Sequence, residues 1–123
     1  MIDALLTHLA AACPGFAAIE DATRLNPLER DDYPVVTLYL SAEAPDERSL
    51  CGAGTALRTY DLLLTCRSGD ELETARAALK AAMRGFTTVG LVRSPQFTGG
   101  HVAALSGPLL QWRDTWTLAV ADD

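Results

Sequence analysis

Cys51, in the glycine-bearing stretch before Thr55, and His101, directly after Gly99 and Gly100, are the residue types of a thiolate nucleophile and its base. A thiol reacts only where a neighbouring base or cation holds it as the thiolate. The chain supplies two histidines, His8 and His101, and no local cysteine-protease signature. The plainer reading is a loop thiol and an imidazole at the start of a strand; a small cysteine hydrolase built on Cys51 and His101 stands as the enzymatic alternative. His8 lies at the polar edge of a helix and reads as a surface imidazole.

Oxygen-rich pairs occur at Glu20 and Asp21, Asp31 and Asp32, and Asp46 and Glu47, but none has the alternating ligand spacing of a calcium loop. They read as solvated loop charges. The glycines at 52, 54, 99 and 100 form neither a GK[ST] phosphate loop nor a GxGxxG turn. Cys13, Cys51 and Cys66 are odd in number and lack CxxC spacing, which argues for reduced thiols over a disulfide framework or a zinc site. No cofactor and no metal are therefore expected.

Two further features concern docking more than chemistry. Arg76, Lys80 and Arg84 repeat every four residues and form one basic row along the exposed side of a helix. The row is either a solvated face partly paired with Glu73 or a contact for an acidic partner. Asp61, in the middle of a strand, is expected to face water or a neighbouring subunit.

These residues need elements to hold them. Ile2, Leu5, Leu6, Leu9 and Cys13 recur at helical spacing, and Pro14 with Gly15 ends that first helix. The apolar run from Phe16 to Ile19 is a candidate strand, though a very short one, and a polar connection follows from Glu20 to Tyr33. From Pro34 to Ser41, Val36, Leu38 and Leu40 alternate with Val35, Thr37 and Tyr39, as in a strand. A charged loop is expected over Ala42 to Gly54, carrying Asp46, Glu47 and Arg48.

A second long strand runs from Thr55 to Cys66, with Tyr60, Leu62, Leu64 and Cys66 on one face. A second helix begins at a Ser68 or Asp70 cap and ends near Arg84, with Gly85 expected as a left-handed stop. Strand signals return weakly at Thr87 to Val92, better at His101 to Leu105, and strongly at Leu109 to Ala121. In the last of these Asp114 breaks an otherwise apolar face, which predicts a bulge there. The order predicts one α+β domain over residues 1–123: a mostly antiparallel sheet of about four strands, with both amphipathic helices on one face.

Length and composition agree with this. A chain of 123 residues, 49% hydrophobic and 21% charged, matches one packed domain. No apolar stretch approaches the roughly 20 residues of a membrane span. Asp3 stands where a secretory signal would carry positive charge, so export by a cleaved signal is not expected. Sixteen acids against ten bases give a net charge of -6, the wrong sign for a surface that neutralises phosphates.

The run Asp31-Asp32-Tyr33-Pro34-Val35-Val36-Thr37-Leu38-Tyr39-Leu40 resembles the opening of the first long strand in phage tail-terminator proteins, the minor tail protein U family of long-tailed phages. The similarity continues through the acidic loop Glu43 to Arg48, the strand Arg58-Thr59-Tyr60-Asp61-Leu62-Leu63-Leu64 and the closing Thr115-Trp116-Thr117-Leu118-Ala119-Val120. The segment from Phe86 to Pro108 does not match the family pattern.

The resemblance implies a non-enzymatic virion protein that forms a six-membered ring on a finished tail tube, stops its growth and presents a surface to the head connector. It implies a protein made in the bacterial host cytoplasm and carried in the virion tail, with no membrane partner. The tube protein and further copies of the chain would be its partners, and DNA would pass through without specific binding. By this analogy Asp46, Glu47 and Arg48 reach the tube, while Arg76, Lys80 and Arg84 bind a neighbour. A head-tail joining protein of the same fold is the alternative within this class.

Overall fold

The computed structural model describes residues 1–23, 32–45 and 54–121. Their order is α1 (Ile2–Ala12), β1 (Ala18–Asp21), β2 (Val35–Pro45), β3 (Thr55–Cys66), α2 (Gly69–Arg84), β4 (Gln96–Ser106) and β5 (Leu109–Ala121).

α1 stops where the sequence demands. Cys13 leaves helical geometry at φ -125° and ψ 68°, as a residue before proline must, while its N–H still donates to Leu9 O at 2.8 Å. α2 starts at Ser68, whose hydroxyl accepts the Glu71 N–H at 3.1 Å; the Glu71 carboxylate accepts the Arg67 N–H at 2.9 Å in return. Its end departs from expectation: Gly85 is right-handed, at φ -88° and ψ -2°, and its N–H closes the last turn onto Ala81 O.

The strands form one five-stranded sheet in the order β1-β2-β3-β5-β4. The sheet is mostly antiparallel, as expected, but has five strands instead of about four, and one of its pairings is parallel. The run beginning near Phe16 forms β1, which pairs parallel to β2 from Ala18 opposite Val35 to Asp21 opposite Leu38. The remaining neighbours are antiparallel. β2 also runs longer than expected, since Ala42–Pro45, read as loop, stays paired with Ala56–Thr59 of β3. Thr87 to Val92 is not a strand. It makes a turn at Gly90, φ +91°, and touches β5 through one bridge between Leu91 and Val120.

Both helices cover the same sheet face, as their stripes require. Leu5 and Leu9 of α1 and Leu79 and Met83 of α2 enter one core with Leu38, Leu62, Leu64, Trp116 and Leu118, all essentially inaccessible. Burying each such side chain contributes on the order of 1.5–3 kcal/mol relative to exposure. His8 links the helices instead of standing at the surface: its Nε2 lies 2.8 Å from Ala82 O and its ring 5.2 Å from the Phe86 ring.

Candidate functional site

Asp114 sits on the helix-facing side of β5, in register with Leu62 on β3 and Gly100 on β4, and only 1% of it is exposed. A carboxylate in that position needs partners of opposite charge. Arg76 of α2 supplies them: its Nε donates to Oδ2 at 3.1 Å and its Nη2 to Oδ1 at 3.0 Å. Trp112 Nε1 donates to Oδ1 at 2.8 Å, and the Arg76 guanidinium stacks 4.5 Å from the Trp112 ring centroid. Gly100 completes the arrangement by lacking a side chain. A Cβ there would fall on Asp114 Oδ1 and lie 2.8 Å from Trp112 Nε1.

β5 pairs with β3 through Asp114 without a register break, so the predicted bulge is not in this strand. The breaks lie in the partner β4, between Phe97 and Gly99 and between Val102 and Ala104. The apolar face is interrupted because Asp114 anchors α2 to the sheet. A two-point Arg–carboxylate contact fixes orientation as well as distance.

This places the basic row of α2. Arg76 is half-buried and occupied by Asp114, not paired outward with Glu73. Lys80 also leans over the sheet, with Nζ 4.5 Å from the Phe97 ring centroid, and Phe97 meets Trp116 edge-on at 5.3 Å. Arg84, in the last turn, is exposed. Of the three predicted docking cations, one is a structural anchor, one caps an aromatic pair and one stands in solvent.

Asp61 is on the opposite sheet face, opposite Tyr39 and Thr115. Thr115 Oγ1 donates to Asp61 Oδ1 at 2.9 Å, and Arg113 Nε lies 3.8 Å from Oδ2, an ion pair beyond hydrogen-bond length. Burial raises the Tyr39 phenol above its ordinary value; the charge of Asp61 and a hydrogen bond to it add to the rise, and Arg113 opposes it. Asp61 is therefore engaged within its own sheet. Sequence reasoning missed its partners Tyr39, Arg113 and Thr115, as it missed Trp112, Gly100 and the pairing of Arg76 with Asp114.

Asp46, Glu47, Arg48 and Cys51 lie outside the described residues. His101 is exposed on β4, opposite Arg113. Cys13 and Cys66 are buried, and burial raises both thiols; Cys66 is pushed up to about 12, with the Glu71 charge adding to the effect. Neither is a thiolate near neutral pH. Among the described residues no group of three or more His, Cys, Asp or Glu side chains is placed to hold a metal ion, and no helix is long and apolar enough to cross a membrane. A cavity of about 430 Å³ between the end of α1 and the start of α2 is lined mainly by apolar groups, including Phe16, Pro34, Ala75 and Ala78, beside Cys13.

No protein-family model and no curated protein matches this sequence. Among solved structures, the fold is similar to that of a chain in the virion of a native gene transfer agent (GTA) particle. The TM-score is 0.62 at 18% identity, over 92% of this chain and 84% of that one, so the two share a fold across most of both lengths.

Proposed function

We propose that this chain is a structural assembly protein of a phage-like virion, without catalytic activity. It caps a completed tail tube as a ring of six copies and presents the surface to which the head connector joins. The observation that carries the reading is the fold likeness, over 92% of this chain, to a protein of a gene transfer agent virion.

Three further features support it. The strand sequences resemble those of tail terminators. The polar clusters on both sheet faces pair residues of the same chain, Arg76 with Asp114 through two hydrogen bonds and Arg113 with Asp61 as an ion pair, contacts of the kind that hold a shape. The net charge of -6 gives a passing DNA few cations to grip.

Deletion of the gene tests the reading directly. Overlong or ragged tails, seen by electron microscopy and restored to uniform length by the gene supplied in trans, are the expected result. Normal tails beside unattached heads would instead assign the joining role. A turnover activity abolished by Cys51→Ser while assembly survived would make the chain an enzyme.

A further inference from the structure

The cavity between the end of α1 and the start of α2 takes no part in the anchor at Asp114 or in the proposed tail role. Its volume of about 430 Å³ falls within the range of about 300–1,000 Å³ common to small-molecule sites. Pro14, Phe16 and Pro34 give it flat apolar walls, while Ala75 and Ala78 of α2 contribute no more than methyl groups and leave the space between them unfilled. Such walls suit a ring, which stacks on them at little cost in side-chain freedom.

The charge of the lining has one sign. Among the described residues Asp70 and Glu71 are its charged side chains, and no Lys, Arg or His lines it. The Glu71 carboxylate accepts the Arg67 N–H, a contact that brings no counter-charge, and the exposed Asp70 has no ion-pair partner among the described residues. Arg67, the base closest in sequence, holds its guanidinium 5.2 Å from the Tyr33 ring centroid and stays out of the lining. The start of α2 does not turn the site towards anions. Ser68 Oγ already takes the Glu71 N–H and Ser68 O the Leu72 N–H, and the two carboxylates in the first turn offset the positive end of the helix dipole.

We propose that this cavity binds a small organic cation: a compact, ring-bearing apolar body that carries a protonated amine. The ring lies against Pro14, Phe16 and Pro34, and the amine meets Asp70 and Glu71, with the Thr74 hydroxyl beside them as a further acceptor. Apolar walls strengthen the attraction between the amine and the carboxylates relative to open water, and they make an anion of the same shape correspondingly unwelcome. The inference is independent of the assembly role.

Phenethylamine, phenethyl alcohol and phenylacetate share a ring and differ in charge, so NMR titration of the full chain with each separates the apolar from the electrostatic contribution. Amide shifts at Phe16, Ala75 and Ala78 are expected to saturate, with the amine bound at least about tenfold more tightly than the alcohol and phenylacetate bound most weakly. Asp70→Asn with Glu71→Gln, which keeps an oxygen for the Arg67 N–H, should bring amine and alcohol to parity. Ala78→Leu, at an exposed position where leucine suits the helix, should block all three probes. Circular dichroism verifies that both variants fold. Shifts that do not saturate, an amine no tighter than the alcohol, a preference that survives loss of both carboxylates, or binding untouched by Ala78→Leu would overturn the site. None of these outcomes bears on tail capping, which the tail-length comparison decides.

Discussion

Arg76 and Asp114 meet through two hydrogen bonds, 3.1 Å from Nε to Oδ2 and 3.0 Å from Nη2 to Oδ1, joining the middle of α2 to the middle of β5. The carboxylate is 1% exposed and the arginine side chain 25%, so the pair is screened far less than a surface bridge. Neither residue tolerates losing the other.

Arg76→Ala should therefore be the more damaging single change, because it strands a buried carboxylate; removing one partner of such a pair costs on the order of 3–5 kcal/mol. Asp114→Ala leaves a cation with a partial route to water and should cost less. The double variant Arg76→Met with Asp114→Leu should recover much of the loss, since well-packed apolar groups often replace a buried pair without penalty. Urea unfolding of wild type, Arg76→Met, Asp114→Leu and their double variant completes the cycle, and additive single effects would refute the coupling.

Gly100 offers a second test of the same anchor. Gly100→Ala puts a methyl group against Asp114 Oδ1 and Trp112 Nε1, a steric conflict of the kind that costs about 1–3 kcal/mol. Gly69→Ala, in the first turn of α2, meets nothing within 4 Å and should be neutral or stabilise by up to about 1 kcal/mol. Thermal melts of the two variants should shift in opposite directions or differ clearly in size.

These residues also mark how far the sequence alone could lead. Alternation identified β3 to its ends because Tyr60, Leu62, Leu64 and Cys66 face the helices while the intervening side chains face away. The same periodicity flagged Asp114 as an anomaly but not its partner, which lies 38 positions earlier on another element. β1 is only faintly legible, as the short run from Phe16 to Ile19, because its four half-buried residues carry no period. Ala42–Pro45 reads as loop because both sheet faces are exposed there, so nothing selects apolar residues at alternate positions. The direction of Arg76 and Lys80 is likewise set by packing: a helical row shows which residues are aligned, not whether a sheet lies beneath them.

On the other sheet face, Tyr39 should report its neighbours in opposite senses. Its phenol is raised first by burial and then by Asp61, while Arg113 pulls it down. Asp61→Asn should move the Tyr39 titration downward, towards its ordinary value, and Arg113→Ala should move it further up. Tyrosine ring NMR shifts followed against pH distinguish the two. Unchanged titration in both variants would mean that the three groups are not coupled.

Cys66 predicts how stability responds to alkali. Its thiol ordinarily ionises near 9.0 and is held protonated in the folded chain to about 12, chiefly by burial. Above pH 9 the unfolded chain releases this proton and the folded chain does not, so the unfolded state binds fewer protons and stability must fall with rising pH. The contribution is fully present below pH 9 and is lost across the interval up to about 12. Cys66→Ala should flatten this part of the pH profile while costing some packing. Urea midpoints from pH 8 to 11 check the slope. Prompt reaction of native Cys66 with a disulfide reagent at pH 8 would contradict its burial and remove the basis of the expected slope.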